Sequence, residues 1–272
     1  MPKLTTLLVA AIAAAQERGY LLIATRTPIT LLRHDPGRDK SDELGSVLAD
    51  VCATKYRALL VVGDEREKRI VEAKRPCTRV EVAVFRHRTT GVLGTLRLFK
   101  VSALHKYCDY FPGGTLALDN DVALKISRID DLFGIFDDMK TKAYGFGLDG
   151  RCVPEEHKEP DIPDDFCERN SGLIFFGDAA QSKEMTRNWL EEMRDRPTAD
   201  GHDQGPLRRV LWRRRDVLYD LAPNVQCRRC TKRYGVDPCE YLAWHSHRPK
   251  RLQVFTNQTL ACGFRDDRLA RR

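Results

Sequence analysis

The chain has 272 residues, of which 42% are hydrophobic and 31% charged, a composition that excludes a largely disordered polypeptide and suffices for one large domain or two small ones. Its net charge of +7 is uneven, because residues 208–272 hold 16 Lys and Arg against 6 Asp and Glu, and this basic C-terminal part is expected to meet an anionic group. Nine cysteines exclude complete pairing in disulfides and favour a reducing compartment.

The N-terminal 19 residues are predicted to contain a helix, residues 4–18, that ends at Gly19. The apolar run Leu7–Ala15, which follows Lys3, also resembles the apolar region of a signal peptide and is too short to span a bilayer. We therefore expect a cytoplasmic protein, with the secretory pathway as the alternative if residues 1–15 are a signal segment.

Apolar runs alternate with helical spacing along the rest of the chain. The predicted strands are Tyr20–Thr25, Ala58–Gly63, Val80–Phe85, Thr115–Leu118 and Leu173–Phe176, and the predicted helices are Asp42–Lys55 and Thr95–Tyr110. This alternation predicts an α/β fold with a mainly parallel central sheet flanked by helices. Residues 149–168 and 195–205 are rich in turn-forming and charged residues and are predicted to be loops.

Two carboxylates, Asp119 and Asp121, follow the predicted strand at 115–118. Side chains at positions i and i+2 of an extended strand point the same way, so both carboxylates can face one site. Carboxylates held that close repel each other unless a cation lies between them or one stays protonated. The expected cation is a hard divalent ion that shares its coordination with substrate phosphates. A solvated strand end or a helix cap is the alternative interpretation.

Four short motifs follow one another in an informative order. They are Leu-Asp-Asn-Asp at 118–121, Asn-Ser-Gly at 170–172, Asp-Gln-Gly at 203–205 and His-Ser-His-Arg-Pro-Lys at 245–250. This order resembles the nucleotide-sugar glycosyltransferases of the GT-A fold, most closely the glycogenin-like and bacterial galactosyltransferase-like members of family 8. The resemblance implies one GT-A-like domain over residues 1–272. It also implies a metal-dependent hexosyltransferase that transfers a sugar from a nucleotide-sugar donor, with a UDP-sugar favoured, and retains the configuration of the anomeric carbon. The acceptor is unknown and could be a glycan, a protein or a lipid.

By this resemblance, Asp119 and Asp121 would hold Mn²⁺ or Mg²⁺ on the donor diphosphate. The third metal ligand would be either His245 or His247, since imidazole is acceptable to Mn²⁺ and unusual for Mg²⁺. Lys250 would neutralise the departing phosphate. A metal and a cation placed where negative charge develops lower the barrier to departure of a nucleoside diphosphate.

The resemblance also assigns the sugar pocket. Asn170, Asp203 and Gln204 would line it, because amides and carboxylates suit the hydroxyl groups of a hexose. In the similar enzymes the Asp-Gln pair lies beside the anomeric carbon. Asp203 would therefore orient the sugar and Gln204 would steady an oxocarbenium-like state, which makes both the catalytic candidates.

The remaining donor contacts are assigned to residues before Asp121. Arg97 or Lys100, one turn apart on a predicted helix, would reach the nucleotide, with a solvated helix face as the alternative. The end of the first strand, where the similar enzymes hold the base, supplies Ala24, Thr25 and Arg26 as candidates. Asn120, between the two carboxylates, completes the candidates for donor binding.

Cysteine and basic residues near the C-terminus allow a different function. Cys227, Cys230 and Cys239, with His245 or His247, have the residue types of a structural zinc site, and the intervening basic residues could hold nucleic-acid phosphates. The alternative within the class of enzymes is a sugar-1-phosphate nucleotidyltransferase. That class has a Gly-rich basic loop near its N-terminus, and no such loop is visible in this sequence. We expect no specific nucleic-acid partner.

A run of arginines follows the Asp-Gln pair on a predicted helix. Its members are Arg208, Arg209, Arg213, Arg214 and Arg215. Such a run is most often a solvated helix face. Its functional alternative is a docking surface for an acidic acceptor, an anionic lipid or a nucleic acid.

Overall fold

The computed structural model describes residues 17–24, 43–74, 77–86, 94–148, 153, 158–198, 201–227 and 238–245. The strands are β1 (Arg18–Ile23), β2 (Arg57–Val62), β3 (Val80–Val84), β4 (Gly114–Leu118), β5 (Val122–Leu124), β6 (Tyr144–Leu148), β7 (Arg169–Phe176), β8 (Leu218–Asp220), β9 (Gln226–Cys227) and β10 (Ala243–His245). The helices are α1 (Glu43–Cys52), α2 (Glu65–Lys74), α3 (Gly94–Tyr107), α4 (Ile129–Met139), α5 (Ala179–Asp195) and α6 (Gln204–Arg213), and short 3-10 turns cover Ile126–Arg128 and Pro238–Glu240.

Seven strands form the central sheet in the order β3-β2-β1-β4-β7-β6-β8. All of them run parallel except β7, which is antiparallel to both β4 and β6. A second, three-stranded sheet has the order β5-β10-β9, with β10 antiparallel to β5 and parallel to β9. The predicted α/β fold with a mainly parallel sheet flanked by helices is confirmed.

The central strands are buried on both faces, which is why they appear in the sequence as continuous apolar runs. Alternate side chains of β1 enter two separate core clusters: Tyr20 and Leu22 pack with α1 and α4, whereas Leu21 and Ile23 pack with α3, α5 and α6. The helices therefore form a layer on each face of the sheet. None of the helices within the described residues is long and apolar enough to cross a bilayer.

The prediction that the N-terminal helix ends at Gly19 is wrong at that end, because Arg18 and Gly19 begin β1. Residues 1–16 lie outside the described part of the chain. A glycine is needed at position 19 for a packing reason, since a Cβ there would stand 2.5 Å from the Phe111 ring. Gly19 is thus not a helix stop: it is the residue at which the strand passes close to an aromatic side chain.

The first two arginines of the run are internal, in contrast to the predicted solvated face or docking surface, whereas Arg213 and Arg215 are exposed. Arg208 is fully buried and donates to the carbonyl oxygens of Phe166 at 2.7 Å and Pro163 at 2.8 Å. Arg209 is also buried and pairs with Glu192 at 2.6 Å. A sequence pattern does not reveal this arrangement, because the partners lie in a loop more than 40 residues earlier and in another helix.

A disulfide joins Cys52, at the end of α1, to Cys77, just before β3. Cys167 and Cys239 are also disulfide-bonded. The thiol of Cys108 is free and buried, and burial raises its pKa to about 11, so it is protonated and unreactive near neutral pH.

Candidate metal and donor site

The candidate site is built where β4 ends. Strand β4 stops at Leu118, and a tight turn follows in which the Val122 amide donates to the Asp119 carbonyl oxygen at 3.2 Å. The two carboxylates therefore converge through a turn and not through the strand alternation that the sequence suggested. The Asp119 amide donates to the carbonyl oxygen of Gly172 at 2.8 Å, which fixes the turn against β7.

The topology of the small sheet brings in the histidine. Strand β10 pairs with β5 so that His245 lies opposite Val122, the residue directly after Asp121. The imidazole is buried, and its Nε2 atom lies 3.0 Å from Asp121 Oδ1 and 3.8 Å from Asp119 Oδ2. One ligand atom from each of these three side chains lies within 4.8 Å of the others.

This donor set fits a divalent ion. Two carboxylate oxygens and one imidazole nitrogen match the preferences of Mn²⁺ better than those of Mg²⁺, which rarely takes imidazole. His245 was one of two alternatives that the sequence left open. The other, His247, lies outside the described residues.

A buried cation links the metal motif to the predicted catalytic residues. The ammonium of Lys100, on α3, lies 2.6 Å from Asp119 Oδ1 and donates to the carbonyl oxygen of Ser171 at 2.9 Å. The Ser171 hydroxyl in turn donates to Asp203 Oδ2 at 3.0 Å. These contacts bring Asp203 into the same polar cluster as the two aspartates of the metal motif.

The charge state of Lys100 follows from its neighbours. Burial lowers the pKa of this ammonium, whereas the negative charges of Asp119 and Asp203 raise it, and the net pKa shift is upward. Lys100 is therefore charged at neutral pH. It balances part of the negative charge that the carboxylates gather at this end of the sheet.

A polar network holds the other side of the His245 ring. Asn170 Oδ1 accepts from the Gly172 amide at 2.8 Å and from Gln226 Nε2 at 2.9 Å, and it lies 3.0 Å from His245 Nδ1. Asn170, which was predicted to line the sugar pocket, is thus buried against the candidate metal ligand. Sequence reasoning missed Gln226, because no motif surrounds it.

The glycine of the Asn-Ser-Gly motif has a steric role in this network. A Cβ on Gly172 would stand 2.2 Å from His245 Cε1, far inside any normal contact. Strand β7 can therefore pass directly beneath the imidazole only if residue 172 has no side chain.

The other predicted site residues are distributed as follows. Gln204 begins α6 next to Asp203, and both are buried. Arg97 does not approach the carboxylates through any of its hydrogen bonds: its guanidinium donates to the Gly201 carbonyl oxygen at 2.5 Å and lies 3.3 Å from His202 Nε2. It therefore connects α3 to the segment that leads into the Asp-Gln pair.

Two further candidates lie at the carboxyl edge of the central sheet. Ala24 is buried directly after β1, and Asn120 is buried within the carboxylate turn after β4, the strand that pairs with β1. The Oδ1 atom of Asn120 has no hydrogen-bond partner among the described residues. Thr25, Arg26 and Lys250 lie outside the described residues.

The alternative zinc site loses Cys239 and one of its two alternative histidines. Cys239 is disulfide-bonded and cannot act as a thiolate, and the His245 imidazole faces the aspartates. Cys230 lies outside the described residues, and so does the basic segment on either side of it. The structure therefore argues against a zinc site that uses Cys239 and His245 together.

No protein-family model and no curated protein matches the chain. Solved structures do. Galactosyltransferase LgtC in complex with donor and acceptor sugar analogues is 13% identical, with a TM-score of 0.58, and the match covers 90% of this chain and 95% of that one. Mouse xyloside xylosyltransferase 1 in its apo form is 14% identical, with a TM-score of 0.54, over 84% of this chain and 97% of that one.

A third structure is a glycosyltransferase involved in glycosylation of the major capsid of PBCV-1. It is 12% identical, with a TM-score of 0.50, and the match covers 90% of this chain and 99% of that one. These similarities define the class of fold, which is that of the GT-A glycosyltransferases.

Proposed function

We propose that this protein is a glycosyltransferase that binds a nucleotide-sugar donor through a divalent ion held by Asp119, Asp121 and His245. The observation that carries the proposal is the convergence of these three side chains at the carboxyl edge of the sheet. Ligands of open α/β sheets bind at that edge. The complex of LgtC with donor and acceptor sugar analogues supports the assignment, because its fold is shared.

The proposed role of the ion is electrostatic. When bound, it supplies positive charge to the diphosphate, the group on which negative charge develops as the sugar leaves. The chain's own part is to hold that charge in place: His245 is buried, and Lys100 fixes one oxygen of Asp119 and leaves the other facing the imidazole. We propose Mn²⁺ as the ion, because one ligand is imidazole.

Asp203 and Gln204 are the proposed catalytic pair. The hydrogen bond from Ser171 fixes the Asp203 carboxylate, and its carbonyl oxygen accepts from the Trp189 indole at 2.9 Å. Asp203 is therefore held in place near the metal motif, as a positioned group at a reacting centre must be, and Gln204 is the next residue, buried at the start of α6. Retention of configuration, a hexose and a UDP-linked donor remain proposals that rest on the family resemblance.

Metal-dependent nucleotide binding tests this function. Asp121→Asn keeps the shape of the side chain and removes one charged ligand, so Mn²⁺-dependent binding of UDP should fall at least ~100-fold, about 2.7 kcal/mol, with little loss of fold. Asp138→Asn is the matched control, because Asp138 is exposed on α4, away from the cluster. Titration calorimetry with UDP and GDP, each with and without Mn²⁺, measures the effect. Equal affinities in the wild type and Asp121→Asn would contradict the proposal.

We further propose that the protein acts in an oxidising compartment. The disulfide between Cys52 and Cys77 and the disulfide-bonded states of Cys167 and Cys239 support this, since such bonds are rare in reducing compartments. The secretory alternative is thereby favoured over the cytoplasmic expectation. Mass spectrometry of peptides from the unreduced native protein should recover the Cys52–Cys77 cross-link. Free thiols at both positions would contradict the proposal.

A further inference from the structure

We infer that Gln226, together with Asn170, is a positioning residue for His245. The pair fixes the plane of the imidazole and keeps its proton on Nδ1, so that Nε2 is directed at Asp119 and Asp121. The inference deepens the proposed metal site and depends on it for its functional meaning.

The hydrogen-bond roles follow from one fixed donor. The Gly172 amide donates to Asn170 Oδ1 at 2.8 Å, so this atom must be the carboxamide oxygen, which can only accept. His245 Nδ1 lies 3.0 Å from the same oxygen and must therefore carry the proton of that hydrogen bond. In a neutral imidazole with a proton on Nδ1, Nε2 has a free lone pair. Metal-binding histidines are commonly oriented in this way by an acceptor at the other ring nitrogen.

Gln226 holds the acceptor in place. Its Nε2 donates to Asn170 Oδ1 at 2.9 Å and lies 3.3 Å from His245 Nδ1. Because β9 pairs with β10, Gln226 stands opposite Ala243, two residues before the histidine on the adjacent strand. The amide is thus attached to the same small sheet as the ring it supports, and it ties that sheet to β7 of the central sheet.

Burial of the Gln226 carboxamide is energetically unfavourable. The Oε1 atom of Gln226 is buried and has no hydrogen-bond partner among the described residues. A Cβ on Gly147 would come within 2.8 Å of that atom, so the neighbouring strand also has to leave room for the amide. An apolar side chain of similar size would avoid the unsatisfied oxygen. A polar residue that costs stability where an apolar one would fit indicates a role outside folding.

Gln226→Leu tests the inference with three measurements. Its affinity for Mn²⁺, measured by electron paramagnetic resonance without nucleotide, should be 10- to 100-fold weaker than in the wild type, the usual effect of removing such a supporting group. Its thermal midpoint should stay unchanged or rise, because the unsatisfied oxygen is gone. In ¹⁵N-edited NMR spectra of the metal-free protein, the Nδ1–H signature of His245 should be weakened or lost. Gln181→Leu on α5 is the matched control and should change neither the metal affinity nor the histidine signature.

Two further variants separate positioning from general packing. Gly147→Ala leaves the chemistry of the network intact but displaces the Gln226 side chain, and it should also weaken Mn²⁺ binding. Asn170→Asp keeps an acceptor for His245 Nδ1 and should retain the Nδ1–H signature, whereas Asn170→Leu should lose it. A purely structural role would not separate Asp from Leu in that spectrum.

The possible outcomes distinguish this inference from the proposed function. If the wild type binds Mn²⁺ and a folded Gln226→Leu binds it equally well with an unchanged histidine signature, Gln226 is not a positioning residue. If the wild type does not bind Mn²⁺ at all, the proposed metal site is wrong. In that case the wild-type spectrum still decides the positioning claim, because a proton on Nε2 in place of Nδ1 would overturn it.

Discussion

Gly172→Ala is expected to expel the His245 ring from the metal site. The added Cβ would stand 2.2 Å from Cε1 and 2.5 Å from Nδ1 of the ring, whereas ordinary van der Waals contact begins at 3.4 Å. The ring must therefore withdraw by about 1 Å or more to relieve the overlap. Coordination distances tolerate only about 0.2 Å. The displacement is several times larger than Nε2 can undergo and still bind the ion.

The expected result is loss of metal affinity without loss of the fold. Mn²⁺ affinity should fall by ~100-fold or more, about 2.7 kcal/mol. Unfolding free energy should fall by only about 1–3 kcal/mol, the usual cost of inserting a methyl group into a packed core. Electron paramagnetic resonance of free Mn²⁺ measures the first quantity, and denaturant unfolding measures the second.

Gly134→Ala is the matched control for this variant. Gly134 lies within α4, and a Cβ there meets nothing within 4 Å. The substitution should leave Mn²⁺ affinity unchanged and stabilise the helix by about 0.5–1 kcal/mol. If Gly172→Ala folds and binds Mn²⁺ within twofold of the wild type, the placement of His245 as a metal ligand above β7 is refuted.

Three other variants probe separate parts of the account. Gln204→Ala should leave Mn²⁺ and nucleotide affinity nearly intact while slowing sugar transfer or donor hydrolysis by ~100-fold, as loss of one positioned polar group does. A parallel loss of nucleotide affinity would mean that Gln204 shapes the donor pocket. Arg208→Met should lower the unfolding free energy by about 2–4 kcal/mol, because the carbonyl groups of Pro163 and Phe166 lose the donor of a fully buried side chain. The control Arg215→Met should change it by less than about 0.5 kcal/mol, and equal effects of the two variants would contradict the structural role of Arg208. Lys100→Met should destabilise the metal-free protein by about 3–5 kcal/mol, because it removes the lysine that pairs with Asp119. Added Mn²⁺ should then raise the thermal midpoint of this variant more than that of the wild type, and an equal Mn²⁺ response would contradict this pairing.

The parts of the fold and the site that the sequence predicted are those encoded locally. Apolar runs located β1 to β4 and the later part of β7, because strands buried on both faces leave a continuous apolar signal. The Asp119–Asp121 pair was also found from local sequence, since both carboxylates lie within one turn. Even there the mechanism of convergence was misread as strand alternation, because sequence spacing does not show where a strand ends.

The parts that were missed depend on pairings between distant segments. The choice between His245 and His247 required the register of β10 against β5, and that register is set more than 100 residues away in the chain. Gln226 has no local signal at all: its role exists only because β9 lies beside β10. Arg208 was misread because a helix face is polar in sequence whether it meets solvent or the backbone carbonyl groups of a neighbouring loop.

The most direct test of the central claim is the anomalous scattering of Mn²⁺ in a crystal of the wild-type protein grown with MnCl₂ and UDP. The account predicts one strong peak bonded to Asp119, Asp121 and His245 Nε2, at about 2.0–2.3 Å from each ligand atom, with diphosphate oxygens completing the coordination. A fully occupied Mn²⁺ bound elsewhere, or UDP bound at the sheet edge with no Mn²⁺ between these three side chains, would contradict it.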